Sequence, residues 1–162
     1  MKKLILLALF VCLLPVSSYA ISNSDFAAAK SQLSSASATL TSSLLQISGM
    51  QQDEQEALQE IINELENGVL AIQRFLELSA LHGAGVLSAS SEAVGILTEA
   101  SLDGIDLLTG IQEGLQAQLG MLVDGKVINI VEESIAAIEK AINALKTFQS
   151  RLSESEAKKS GG

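Results

Sequence analysis

Residues 128–152 read INIVEESIAAIEKAINALKTFQSRL, and the spacing of their apolar side chains decides the fold. Ile128, Val131, Ile135, Ile138, Ile142, Leu145 and Leu152 hold a heptad register, with Phe148 beside the one missing step. Apolar positions three and four apart fall on one face of a helix. Asp124-Gly125 supplies a turn signal just ahead of this stripe. Lys146 and Arg151 near its end suit the negative pole of a helix dipole. Such a helix needs other helices to bury its stripe, because isolated helices are marginal in water.

Three further segments supply them. The first carries Phe26, Ala29, Leu33, Ala36, Leu40, Leu44 and Ile47, with Ser24 as an N-cap and Gly49 as a stop. The second carries Leu58, Ile62, Leu65, Val69, Ile72 and Leu76, widened by Ile61, Phe75 and Leu78. Asp53 and Glu56 open it at capping-box spacing, and His82-Gly83 closes it. The third, about 86–123, carries Leu87, Val94, Leu97, Ile105, Leu108, Ile111, Leu115, Leu119 and Leu122. Gly95, Gly104, Gly110, Gly114 and Gly120 interrupt it, each costing ~1 kcal/mol against Ala inside a helix. Asp103-Gly104 reads as a break or kink near 101–104, which makes the bundle one of four helices or five.

The chain opens with Lys2 and Lys3, an apolar run from Leu4 to Val16, and the small-residue stretch Ser17, Ser18, Tyr19, Ala20. That order is a secretory signal peptide, cut after Ala20. Its apolar run falls short of the ~20 residues a spanning helix needs. Cys12, Pro15 and Tyr19 are the single Cys, Pro and Tyr of the chain, so the mature protein has none of them. Without disulfides, apolar packing alone must hold it. Nothing in it forbids long helices.

Removing Lys2 and Lys3 from ten basic residues leaves eight against nineteen acids, a net charge of −11. An acidic chain is repelled by phosphate backbones, which excludes nucleic acid as a partner. Residues 31–52 carry no charge at all, and their polar positions are Ser, Thr and Gln. Such a face is weakly solvated, so it is sandwiched within the fold or offered to a partner. No Asn-x-Ser/Thr acceptor for N-glycosylation is present.

Enzymatic chemistry has no visible foothold. Nucleophilic triads join Ser or Cys to a His base, and the only imidazole, His82, sits at a helix end among small residues. Its natural role there is to complement the helix C-terminus. Zinc sites and di-metal bundles want several His or Cys ligands. Glu56, Glu60 and Glu64 share one helix face, best read as a solvated acidic surface. No Trp or Tyr remains to stack on a sugar, and no phosphate-cradling loop follows a strand. Gly110-x-x-x-Gly114 lets another backbone come close, which in a soluble helix usually means internal packing.

The expectation is an all-α fold: an antiparallel up-down bundle of four or five long amphipathic helices over residues 21–155, behind a signal peptide (1–20) and ahead of a flexible tail (156–162). Its apolar face is formed by Leu58, Ile62, Leu65, Ile72, Leu97, Leu108, Leu115, Ile135, Ile138 and Ile142, with Leu33, Leu40 and Leu145 beside them. The expected role is that of a secreted, non-enzymatic protein without cofactor that binds apolar or lipid-like molecules or surfaces. Wide aliphatic faces with few aromatics to lock them would let such a bundle open or hold a cavity. The competing expectation is a structural protein that uses the heptads of segments two and four to self-associate as a coiled coil or to bind a protein partner.

Overall fold

The computed structural model describes residues 23–46, 51–83 and 91–160; Ala20 and the rest of the leader, Ile47, Gly49 and Leu87 lie outside the described residues. Among the described residues there are four helices and no strand: α1 (Asn23–Gln46), α2 (Gln52–Gly83), α3 (Ser91–Leu119) and α4 (Gly125–Ser160). Each helix packs on the next in sequence, and α1 also packs on α4, closing a ring around one core. No helix of the described residues is long and apolar enough to cross a membrane.

The stripes read from the sequence point inward. Phe26, Leu33 and Leu40 of α1, Leu58, Ile61, Leu65 and Ile72 of α2, Leu97, Leu108 and Leu115 of α3, and Val131, Ile138 and Leu145 of α4 are all buried. Full burial of such a side chain is worth ~1.5–3 kcal/mol. These rows are what hold a chain that lacks cross-links in its bundle.

From Ser91 to Leu119 the third segment is one uninterrupted helix, not a helix broken near 101–104. Gly104 is there for contact rather than for a turn: a Cβ at that position would lie 3.2 Å from Leu145 Cδ1. The glycine therefore lets α3 settle onto α4. Ser101 is fully buried three residues earlier, and its hydroxyl is satisfied by donating to the Thr98 carbonyl (2.8 Å).

Helix ends differ in detail from the sequence reading. Ser24 lies inside the first turn of α1, which begins at Asn23. Helix α2 begins at Gln52, the Gln51 carbonyl accepts from Gln55 N–H, and Asp53 and Glu54 sit in its first turn. They favour the positive pole of the helix without forming a capping box. Asp124, by contrast, is a full N-cap of α4: its Oδ1 accepts the backbone N–H of Lys126 (2.7 Å) and Val127 (3.2 Å). At the other end α4 runs through 156–160, where the sequence suggests a flexible tail.

Ile135 is only partly buried, although its heptad position places it in the core. Ser134, fully buried, faces inward in its stead and donates its hydroxyl to the Ile130 carbonyl (2.8 Å). The cause is geometric: a straight helix drifts by ~20° per heptad, so a strict seven-residue register slides off the centre of the interface. A small residue also suits this level, where Gln32 of α1 reaches across to donate to the Glu133 carbonyl (3.3 Å).

The few aromatics do lock one end of the core. Phe26, Phe75 and Phe148 come from three different helices and stack in sequence, with ring centroids 5.1 Å apart for the first pair and 5.5 Å for the second. The second pair is edge-to-face at 78°, a favoured aromatic geometry.

Candidate ligand-binding grooves

Helix α1 is the thin helix of the ring. Every second inward position is Ala (Ala29, Ala36), so its large anchors are Phe26, Leu33 and Leu40. Helix α4 buries Val127, Val131, Ile138, Ile142, Leu145, Phe148 and Leu152 over its longer span. The sides of α1 are equally slight, built of Ala, Ser and Thr. Where a slender helix meets thicker neighbours, the space beside it stays open.

Two grooves follow the α1–α2 boundary. One, about 640 Å³, is lined by Ser34, Ser37, Ala38, Thr41, Glu66, Val69 and Leu70. The other, about 610 Å³, is bounded by Ala27, Lys30, Ser31 and Leu76, and shares Ser34 and Ala38 with the first. The shared residues make them one trough. A third groove, about 440 Å³, lies on the opposite flank between α1 and α4, beside Ala28, Gln32, Ala137, Lys140 and Ala144.

The trough has an apolar floor and sparse polar fittings. Leu70 is 57% exposed and gives the trough its most open apolar surface. The hydroxyls of Thr39, Thr41, Ser42 and Ser43 donate to the carbonyls four residues back, at 2.8, 2.8, 2.9 and 3.0 Å. Of these four only Thr41 lines the trough, where it presents its methyl and an acceptor oxygen beside the hydroxyls of Ser31, Ser34 and Ser35. Ser37 Oγ donates to Glu66 Oε1 (3.4 Å) across the trough. Nearer the Phe cluster, Lys30 Nζ donates to Gln73 Oε1, and Gln73 Nε2 donates to Glu77 Oε1 (2.5 Å). The trough therefore carries a cation, Lys30, toward one end and the Glu66 carboxylate farther along, with Ser, Thr and Ala on one wall and Val69, Leu70 and Leu76 on the other.

The apolar face drawn from the sequence lies elsewhere. Leu58, Ile62, Leu65, Ile72, Leu97, Leu108, Leu115, Ile138 and Ile142 meet in the common core, with Ile135 at its edge. None of the ten lines the three grooves; a ligand reaches them only if a helix moves aside. The heptads of α2 and α4 are consumed in the same core, so in the closed bundle they are not free to form a coiled coil with another chain. Sequence reading missed the trough because its aliphatic half, Val69, Leu70 and Leu76, belongs to a different helix from its small-residue half. The charge-free stretch 31–52 was the one signal pointing to it.

Among the described residues no three His, Cys, Asp or Glu side chains gather as a metal site would require. Comparison with protein-family models, with curated proteins and with solved structures finds no match to this chain.

Proposed function

We propose that the chain is a secreted, non-enzymatic bundle of antiparallel up-and-down helices that binds apolar or lipid-like molecules along α1. The up-down arrangement is supported by interhelical contacts whose numbers rise on one helix as they fall on the next. Lys30 meets Gln73 and Ser37 meets Glu66; Glu54 meets Val123 and Glu60 meets Gln118. Secretion rests on the leader ending at Ala20.

The observation that carries the binding reading is the open trough beside α1, with Val69, Leu70 and Leu76 on its floor and Lys30 toward one end. A single-chain amphiphile fits that layout, its acyl chain on the aliphatic floor and an anionic head near the ammonium. The small number of large anchors on α1 offers a second mode, in which α1 swings out and the stripe of Ile62, Leu65, Ile72, Ile138 and Ile142 accepts lipid.

Displacement of a fluorescent fatty-acid analogue by oleate tests the reading. Saturable binding is expected, and Ala38→Phe, which fills the trough from an exposed position, should weaken it about tenfold, the equivalent of ~1.4 kcal/mol. A chain that ignores the analogue, or binds it equally well with Phe at position 38, overturns the trough as the site. For secretion, the exported chain should begin at Ile21; an exported chain retaining Met1 overturns the cleavage.

A further inference from the structure

Helix α3 carries a second heptad seam that its own bundle does not use. Its inward row includes Val94, Leu97, Leu108, Ile111 and Leu115. Ile96, Ala100, Asp103, Leu107, Gly110, Gly114, Ala117 and Met121 form another row, at unbroken steps of four and three, that ends in the turn after the helix. The large members of that row are uncovered: Ile96 is 43%, Leu107 47% and Met121 59% exposed. Gly110 has open space where a Cβ would be, with nothing within 4 Å, so no contact inside the protein explains a glycine there. Gly114 is flanked by the Glu64 carboxyl group, 3.7 Å from the position of its absent Cβ. Two glycines one turn apart in this row, whose one charged member is Asp103, let a further helix approach α3 closely.

Charge says which kind of helix. In the heptad set by this seam, Glu99, Asp106 and Glu113 all occupy the g position, and all three are exposed. Glu60 and Glu64 of α2 border the other side of the row, near Gln118 and Gly114. Helix α3 contains no Lys or Arg at all. Flanking charges set partner choice in helix pairing, because like charges facing one another repel. A second copy laid antiparallel on the same seam would set Glu99, Asp106 and Glu113 against their own counterparts. We infer that the outer face of α3, centred on Gly110 and Gly114, docks a cationic amphipathic helix of a protein partner, with Lys or Arg flanking a stripe of small and aliphatic residues.

A fluorescently labelled synthetic helix of four heptads, with Ala and Leu at a and d and Lys at e and g, serves as the probe. Anisotropy titration should show saturable binding that weakens steeply with salt, while the same peptide with Glu at e and g should not bind. Gly110→Leu leaves the charge unchanged, sits in open space and suits a helix better than glycine, yet blocks the close approach. It should weaken binding at least tenfold, and Leu107→Gln several-fold, with helix content by circular dichroism retained in both. Equal affinity for the Lys peptide in the Gly110→Leu variant would mean attraction to acidic charge alone and would overturn the inference. Equal binding of the Glu peptide, or no binding of either, would do the same. So would a concentration-dependent dimer in sedimentation that Gly110→Leu dissolves, since the seam would then serve a second copy. Loss of this binding leaves the α1 trough untouched, and failure of the trough reading leaves the α3 seam intact.

Discussion

Leu33 and Gly68 are a matched pair, and replacing both tells whether α1 is held as its packing implies. Leu33 is fully buried, and a Cβ at Gly68 would lie 3.1 Å from Leu33 Cδ1, so the leucine occupies space that the glycine vacates. Leu33→Ala removes one of the three large anchors of α1 and leaves a void facing a residue with no side chain to fill it. Leu→Ala at such sites costs ~2.7–5 kcal/mol, and the upper half of that range applies where the surroundings cannot collapse. Gly68→Ala alone gains up to ~1 kcal/mol of helix propensity but crowds Leu33, so its net effect is near zero. In the Leu33→Ala background the crowding is gone, and Gly68→Ala should recover ~1 kcal/mol or more. The double-mutant cycle should therefore show a favourable coupling of about 1 kcal/mol, within the range found for residues in direct contact. Urea unfolding followed by circular dichroism at about 222 nm, with shared m-values, measures all four corners. Strict additivity, with Gly68→Ala giving the same change in both backgrounds, would falsify the packing account of α1.

Three more expectations follow from the same geometry. Gly110→Ala should raise stability by up to ~1 kcal/mol, because the site is helical, exposed and unobstructed, whereas Gly104→Ala should gain less or lose, since Leu145 must move; thermal melts of the two variants compare them directly. Asp124→Ala removes the acceptor of two backbone N–H groups and should cost ~1 kcal/mol, while Asp124→Asn, which keeps that acceptor, should cost only a few tenths; equal losses would show that charge rather than capping matters there. Phe75→Ala takes out the middle ring of the three-ring stack and should cost ~3–5 kcal/mol, more than Phe148→Leu, as read by the urea midpoint.

Much of the fold was legible because helices announce themselves by period. The Leu and Ile rows of α2 and α4 could be read directly, and Leu58, Ile62, Leu65, Ile138 and Ile142 lie where the spacing puts them. Helix α3 was harder for a physical reason: glycine marks both a turn and a close contact, and only the position of Leu145 reveals that Gly104 serves the second purpose. Ile135 and Ser134 exchange roles because a seven-residue register and a helix of 3.6 residues per turn part company over a long span. Surface features were the least visible. The trough needs Ala38 and Leu70 brought together from two helices, and the outer seam of α3 is recognisable only once the inner seam is known to be occupied.

The three stacked phenylalanines give the bundle a polarity. At their end α1 is pinned by Phe26 against Phe75; toward the other, Leu40 is its last deep anchor, Leu44 is only partly covered and Leu45 is 82% exposed. A helix held by rings at one tip and by little packing at the other loosens first where its packing is thin, in the turns just before the connection to α2. Among the α1 amides that donate to a carbonyl four residues back, those near residues 42–46 should then exchange faster than those near residue 30, and anything that wedges under α1 would enter from the Leu45 side and stop at the rings.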